Sequence, residues 1–292
     1  MTVTKMFIFG AGYSGQATAR ARPEAGIRIA GTTRAPEKFE ALRRAGMEPF
    51  VFDGSLTDEL SAGFAETTHL LISIAPDETG DPVLNAAREK ILRGMPKLEW
   101  IGYLSTVGVY GDHNCAEVTE ESECQPISAR SHRRLETEKA WSRFGSEIAV
   151  PVAILRLSGI YGPGRNAIVN LVEGAARRIV KPGQVFNRIH VDDIAGAARH
   201  LLDAKAHGTF NVSDDEPSPP QDVVAFAAHL TGVEPPPEIP FEEAKLSPMA
   251  RSFYSECKRV SNGKLKGRGY SLRYPNYREG LSALWKTGLW RG

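Results

Sequence analysis

The chain alternates short apolar runs with longer stretches whose apolar residues recur every three or four positions. KMFIFG (5–10), IRIAGTTR (27–34), MEPFVFD (47–53), THLLISIA (68–75), LEWIGYLST (98–106) and VPVAILRLS (150–158) read as strands. Between them lie helical patterns at 14–26, 36–46, 55–64, 81–95 and 129–144, the first interrupted near Pro23. Strands taken in turn with helices predict βαβ units, hence an α/β chain with a parallel, doubly wound sheet. No repeat of solenoid period is present.

The second half is less regular. YGPGRN (161–166) predicts a turn, followed by a helix over 167–179. NRIHVDDIAGAARHLLDA (187–204) predicts a strand end feeding a helix, with Asp192 or Asp193 as N-cap. GTFNVSD (208–214) predicts a strand. Proline-rich breaks flank a helix at 221–232, and the tail ends in another helix. This half predicts a smaller α+β substrate domain interleaved with the last sheet elements. The expected division is 1–160 plus about 186–205 for the nucleotide-binding domain, and 161–185 plus 206–292 for the smaller one.

Composition changes this picture little. Of 292 residues, 41% are apolar and 24% charged, and the formal net charge of +1 gives no global field for nucleic acid or membrane. Cys115, Cys124 and Cys257 are few, odd in number and far from zinc spacing, which argues for a reducing compartment and against a disulfide scaffold or metal site. No apolar run approaches a membrane span, so a soluble cytoplasmic protein, monomer or homodimer, is the expectation.

Chemistry enters at FIFGAGYSGQ. Gly10, Gly12 and Gly15 have G-x-G-x-x-G spacing between a strand and a helix. In that setting the first glycine permits a tight turn, the second lets backbone approach a pyrophosphate, and the third lets helix close on sheet. Tyr13 and Ser14 open the helix, whose N–H groups face an anion. At the end of the second strand, GTTR offers Thr32, Thr33 and Arg34 and no carboxylate, which favours the 2′-phosphate of NADP over NAD. Asp53 could meet an adenine amino group or cap the following helix.

YLSTVGVYG (103–111), LRLSGIYGPGRN (155–166), RIHVDDIAGA (188–197) and GTFNVSDDEP follow in chain order. With the glycine loop, they resemble the extended short-chain dehydrogenase/reductase family of epimerase and dehydratase type, in an atypical subgroup. The resemblance implies a Rossmann sheet, with Ser73 and Ala75 passing under the cofactor and Tyr161 and Arg165 on the substrate side. It makes Thr106, beside Ser105, the substrate-orienting hydroxyl. Where the family carries Tyr-x-x-x-Lys before Leu and Glu, RSHRRLETE places Arg130 and Arg134, with Leu135 and Glu138 in frame.

Arginine stays protonated, so Arg130 cannot shuttle a proton. Arg134 could reach the nicotinamide ribose, and Arg130 an anionic substrate. The other reading is an exposed helix face with an Arg134–Glu138 pair and with Leu135 and Trp141 buried. Asp81 stands in place of a family Asn, as acid or base or as an N-cap before Pro82. Asp81, His132, Tyr161 or water would supply the missing acid. His190 and Asp192 lack a third metal ligand. The resemblance implies an oxidoreductase or epimerase acting on a small molecule with NADP, or NAD. The alternative is an NADP-binding sensor or scaffold without catalysis.

Overall fold

A computed structural model describes residues 5–21 and 27–292. The tail of the first predicted helix, with Pro23, lies outside the described residues. In chain order the regular elements begin with β1 (Lys5–Phe9), α1 (Tyr13–Arg20), β2 (Arg28–Thr33), α2 (Phe39–Arg44), β3 (Glu48–Val51), α3 (Asp58–Ala62), β4 (His69–Ile72), α4 (Pro82–Gly94), β5 (Trp100–Thr106) and β6 (Glu117–Val118). There follow α5 (Ala129–Glu147), β7 (Val152–Leu157), β8 (Gly159–Tyr161), α6 (Ala167–Val172), β9 (Arg178–Val180), β10 (Arg188–His190), α7 (Val191–Asp203) and β11 (Gly208–Val212). The last are α8 (Pro220–Thr231), β12 (Glu238–Pro240), α9 (Pro248–Phe253), β13 (Arg259–Val260), α10 (Gly263–Gly267) and α11 (Tyr277–Thr287).

The chain forms two compact units. The first comprises 1–109, 128–156 and 194–210, the second 110–127, 157–193 and 211–292. Residues 110–127, which the sequence reading kept with the first half, fall in the second unit. The reason is β6, which pairs in parallel with β13 near the C-terminus.

The first unit is built on a seven-stranded parallel sheet of order β11-β7-β5-β4-β1-β2-β3. The neighbours of β1 are β2 and β4, so the chain reverses direction across the sheet at β1, the arrangement of a doubly wound α/β fold. β4 is buried throughout and β1 nearly so, as expected for strands covered on both faces. Phe7, Phe9, Phe50, Phe52 and Phe64 form one aromatic cluster in this core, with Phe7 edge-on to Phe64 at 5.3 Å. Trp100 is fully buried and donates Nε1–H to the Ala206 carbonyl at 2.9 Å.

The second unit carries short paired strands and the α6–α8–α11 cluster around Tyr161, Val223, Tyr277 and Leu281. Three expectations change here. The helix predicted over 167–179 stops at Val172, and Arg178–Val180 is instead β9, paired with β12. Asp192 and Asp193 lie inside the first turn of α7 and do not precede it. Asp193 instead accepts from the backbone N–H groups of Arg273 (2.7 Å) and Tyr274 (3.0 Å) and from Tyr270 Oη (3.0 Å). Cys115 and Cys257, whose number and spacing argued against a disulfide scaffold, form a disulfide across 142 residues. The β6–β13 pairing and the hydrogen bonds from His113 and Cys115 N–H to the Cys257 carbonyl bring them together.

Candidate dinucleotide cradle and the β5–α5 site

The glycine loop leaves β1 through Gly10 at φ +84°. A Cβ there would meet Ile74 Cγ1 at 2.7 Å, so both conformation and space require glycine. Thr32 fixes the turn: its Oγ1 accepts from Gly10 N–H at 2.9 Å, and its carbonyl from Ala11 N–H at 2.8 Å. At Gly15 a Cβ would lie 3.1 Å from the Gly10 carbonyl oxygen and 3.2 Å from Ile8, so this glycine sets how closely α1 approaches β1. Gly12 differs. Its φ of −79° suits any residue, and the nearest atom to a Cβ would be 4.0 Å away. Among the described residues, nothing fills the space that Gly12 leaves open.

α1 begins there with no side chain capping it and no acidic residue in its first turn. Ser14 is buried, and Tyr13 is half-buried. An uncapped helix start beside open space suits a pyrophosphate, which would satisfy the exposed N–H groups and the positive end of the helix dipole. At the end of β2, Thr33 Oγ1 accepts from Ala35 N–H at 3.2 Å, while Arg34 is exposed and has no ion-pair partner among the described residues. Asp53 forms a turn with Ser55, whose hydroxyl donates at 2.6 Å and holds the carboxyl below its usual range. It does not cap α3; Thr57 does, accepting from Leu60 N–H at 3.1 Å. Ser73, held by its N–H to the Phe9 carbonyl at 2.8 Å, and exposed Ala75 follow β4. The open backbone at Gly12 and the uncapped start of α1 fit the pyrophosphate of a dinucleotide.

The β5–α5 site departs from several expectations. Asp81 is the N-cap of α4: Oδ1 accepts from Val83 and Leu84 N–H, each at 2.9 Å, and Oδ2 accepts from Trp141 Nε1 at 3.2 Å. Burial pushes its carboxyl upward while these donors oppose the shift. With both oxygens engaged, Asp81 is a structural cap and not an acid or base open to substrate. Arg134 turns inward. Its Nη1 donates to the Leu104 carbonyl at 2.7 Å and to Tyr103 Oη at 3.2 Å, tying α5 to β5. Its Nε is buried without a hydrogen-bond partner among the described residues. Arg130, one turn earlier, is exposed, as is His132.

The expected Arg134–Glu138 pair is absent. Glu138 instead points into the unit, where it meets Arg156 of β7 at 2.8 Å and accepts from Ser105 Oγ. The sequence frame identified Glu138 but gave no sign of Arg156, which is embedded in the apolar run VAILRL. Thr106 is half-buried, and its Oγ1 accepts from Gly108 N–H at 3.1 Å. A Cβ on Gly108 would lie 3.4 Å from that oxygen and 3.1 Å from Ser131 Oγ, so two hydroxyls flank one glycine. Ser131 was missed by the sequence reading. Its signal is the Ser128-x-x-Ser131 spacing, since Ser128 caps α5 and donates to Ser131 Oγ at 2.9 Å.

In the second unit, Tyr161 is a core residue. Its ring stands edge-on to His190 at 5.1 Å, and Gly280 exists to admit it, a Cβ there falling 2.2 Å from its hydroxyl. Burial raises the Tyr161 hydroxyl well above its ordinary range, and the hydroxyl donates to the Asn276 carbonyl at 3.4 Å. Arg165 is exposed. His190 is buried with its pKa pushed down to about 4, and Nδ1 accepts from Asp192 N–H at 3.1 Å. Among the described residues, no cluster of His, Cys, Asp or Glu is placed to hold a metal, and no helix is long and apolar enough to cross a membrane.

A conserved protein of unknown function from Silicibacter pomeroyi is 45% identical, with a TM-score of 0.89 over 98% of this chain and 99% of that one. Protein YeeZ of Escherichia coli K12 is 27% identical over 256 residues, 80% of this chain and 85% of YeeZ. A 3-diazoavenalumate denitrifying reductase of a Streptomyces species is 28% identical over 142 residues, 44% of this chain and 45% of that protein. Residues 6–213 match the NAD dependent epimerase/dehydratase family. With more than half its length matched, the chain belongs to the NAD dependent epimerase/dehydratase family.

Proposed function

We propose that this family member binds NADP in preference to NAD and acts as an oxidoreductase or epimerase-like enzyme on a small molecule. The observation that carries the reading is the open space at Gly12 beside an uncapped helix start. Gly10, Gly12, Tyr13, Ser14 and Gly15 would hold the pyrophosphate, with Ser73 and Ala75 along the ribose. Arg34 and Thr33 would take the 2′-phosphate, a dianion that an exposed guanidinium without an acidic partner can pair with. Bound, the cofactor would supply hydride chemistry. The chain's own part is to orient the substrate oxygen at the Thr106 hydroxyl, whose proton has no acceptor among the described residues.

A second reading, a cofactor-binding sensor or scaffold, is favoured by one specific observation. The two family acid–base positions hold arginines, of which Arg134 is committed to β5 and Arg130 is exposed. Calorimetry with NADPH, followed by stopped-flow absorbance with a panel of aldehydes and ketones, separates the two. NADPH binding with oxidation of NADPH by any carbonyl of the panel, itself reduced to the alcohol, supports the enzyme. Tight binding with no oxidation across the panel supports the sensor.

A further inference from the structure

The second unit contains a cation that its own fold leaves half satisfied. Arg188, on β10, donates through Nη1 to the carbonyls of Phe186 (3.0 Å) and Ser218 (3.1 Å). Its Nε and Nη2 edge has no partner among the described residues, and the side chain is half-buried. The Tyr277 ring lies beside the guanidinium, its centroid 6.0 Å away. Asp214 is near enough to act on Arg188 electrostatically yet forms no ion pair with it. Asp214 is 1% exposed; Oδ1 accepts from Glu216 N–H at 3.2 Å, while Oδ2 is buried with no partner. The free edge of a guanidinium presents two parallel N–H donors, the geometry of a carboxylate.

We propose that Arg188 and Asp214 form an anion subsite of the second unit, in which Arg188 receives a ligand carboxylate through Nε and Nη2 and Asp214 sets how much of its charge is available. The proposal rests on reading this unit as the substrate-binding part of the protein. Burial raises the Asp214 carboxyl to about 8, with Glu216 and Asp215 reinforcing the shift and Arg188 opposing it. Tyr161 from β8 also faces Asp214, and Tyr254 and Tyr277 face Arg188. Those tyrosines are all raised by burial, so they stay neutral over the range in question. At neutral pH Asp214 is therefore largely protonated and Arg188 is uncompensated. Above about 8 the ionised Asp214 offsets it and carboxylate binding weakens.

The test is calorimetry on the full chain with malonate as probe at pH 7 and pH 9 and fixed ionic strength, with inorganic phosphate in a parallel titration. Malonate binds wild type at pH 7 and about ten-fold more weakly at pH 9. Asp214→Asn binds it equally at both pH values, and Arg188→Lys binds about ten-fold more weakly at pH 7. Wild-type affinity for Arg188→Lys, or a pH dependence that survives in Asp214→Asn, overturns the proposal. Phosphate binding more tightly than malonate overturns its carboxylate assignment. Should Arg188→Lys fail to fold, Asp214→Asn and the wild-type pH series still decide. NADPH is titrated into each sample. Absence of malonate binding by wild type with NADPH binding intact rejects the subsite alone, whereas absence of NADPH binding in wild type rejects the proposed function on which the reading of this unit rests.

Discussion

Replacing Glu138 by alanine tests the inward turn of α5 most severely. The carboxylate joins three elements: α5 itself, β5 through Ser105, and β7 through Arg156. It accepts from Arg156 Nε at 3.2 Å to both oxygens and from Nη2 at 2.8 Å, and both side chains are over nine-tenths buried. Truncation leaves a guanidinium buried without its counter-charge and a serine hydroxyl without its acceptor. Breaking a buried pair on one side costs about 3–5 kcal/mol. Amide hydrogen exchange along β5 and β7 reads this directly, since each ~1.4 kcal/mol is a factor of ten in opening. Protection in the first unit should fall by roughly two to nearly four orders of magnitude. Replacing both Glu138 and Arg156 by methionine should recover most of the loss, because the pair's strength is offset by its desolvation. Exchange changed less than about five-fold in Glu138→Ala would refute the reasoning, since the pair would then be relaxed by water.

Other outcomes follow from the same geometry. Arg34→Ala should weaken NADPH by roughly 1.5–3 kcal/mol and leave NADH nearly unchanged in calorimetry; equal losses would reject a 2′-phosphate role. Gly10→Ala, placed at φ +84° against Ile74, should lower stability by about 1–3 kcal/mol in thermal unfolding, and an unchanged transition would contradict the turn. The Asp214 carboxyl is raised from 3.8 to about 8, so the folded state holds a proton that the unfolded chain releases. Stability should therefore fall as pH rises from about 4 to about 8, by at most ~1.4 kcal/mol per unit, and level off above. Asp214→Asn should flatten that segment in urea titrations across pH, and an unaltered slope would assign it elsewhere.

Much of the first unit was legible because its strands are buried on both faces and read as unbroken apolar runs. The glycine loop was legible because its three glycines have three separate physical causes, each visible at its own position. What sequence could not supply was direction. Arg134 and Glu138 lie one turn apart and would pair on an isolated helix, but each finds a better partner inward, on β5 and β7. Asp81 has the chemistry of an acid and the position of a cap, and only the Trp141 contact shows that neither oxygen is spare. Tyr161 has a hydroxyl suited to a cleft, yet Gly280 admits it into the core. The disulfide depends on the pairing of two two-residue strands, too short to leave a periodic signal.

The most direct test of the cradle is titration of NADPH into wild type and Gly12→Val. Among the described residues the valine meets no atom closer than about 4.0 Å at its Cβ, and it sits at an ordinary φ, so the fold should survive with an unchanged circular dichroism spectrum. The branched side chain would stand in the path of the pyrophosphate. Saturable heat with wild type and none with the folded variant is the predicted result. Binding of NADPH by folded Gly12→Val with wild-type affinity would contradict the assignment of this loop as the cofactor site.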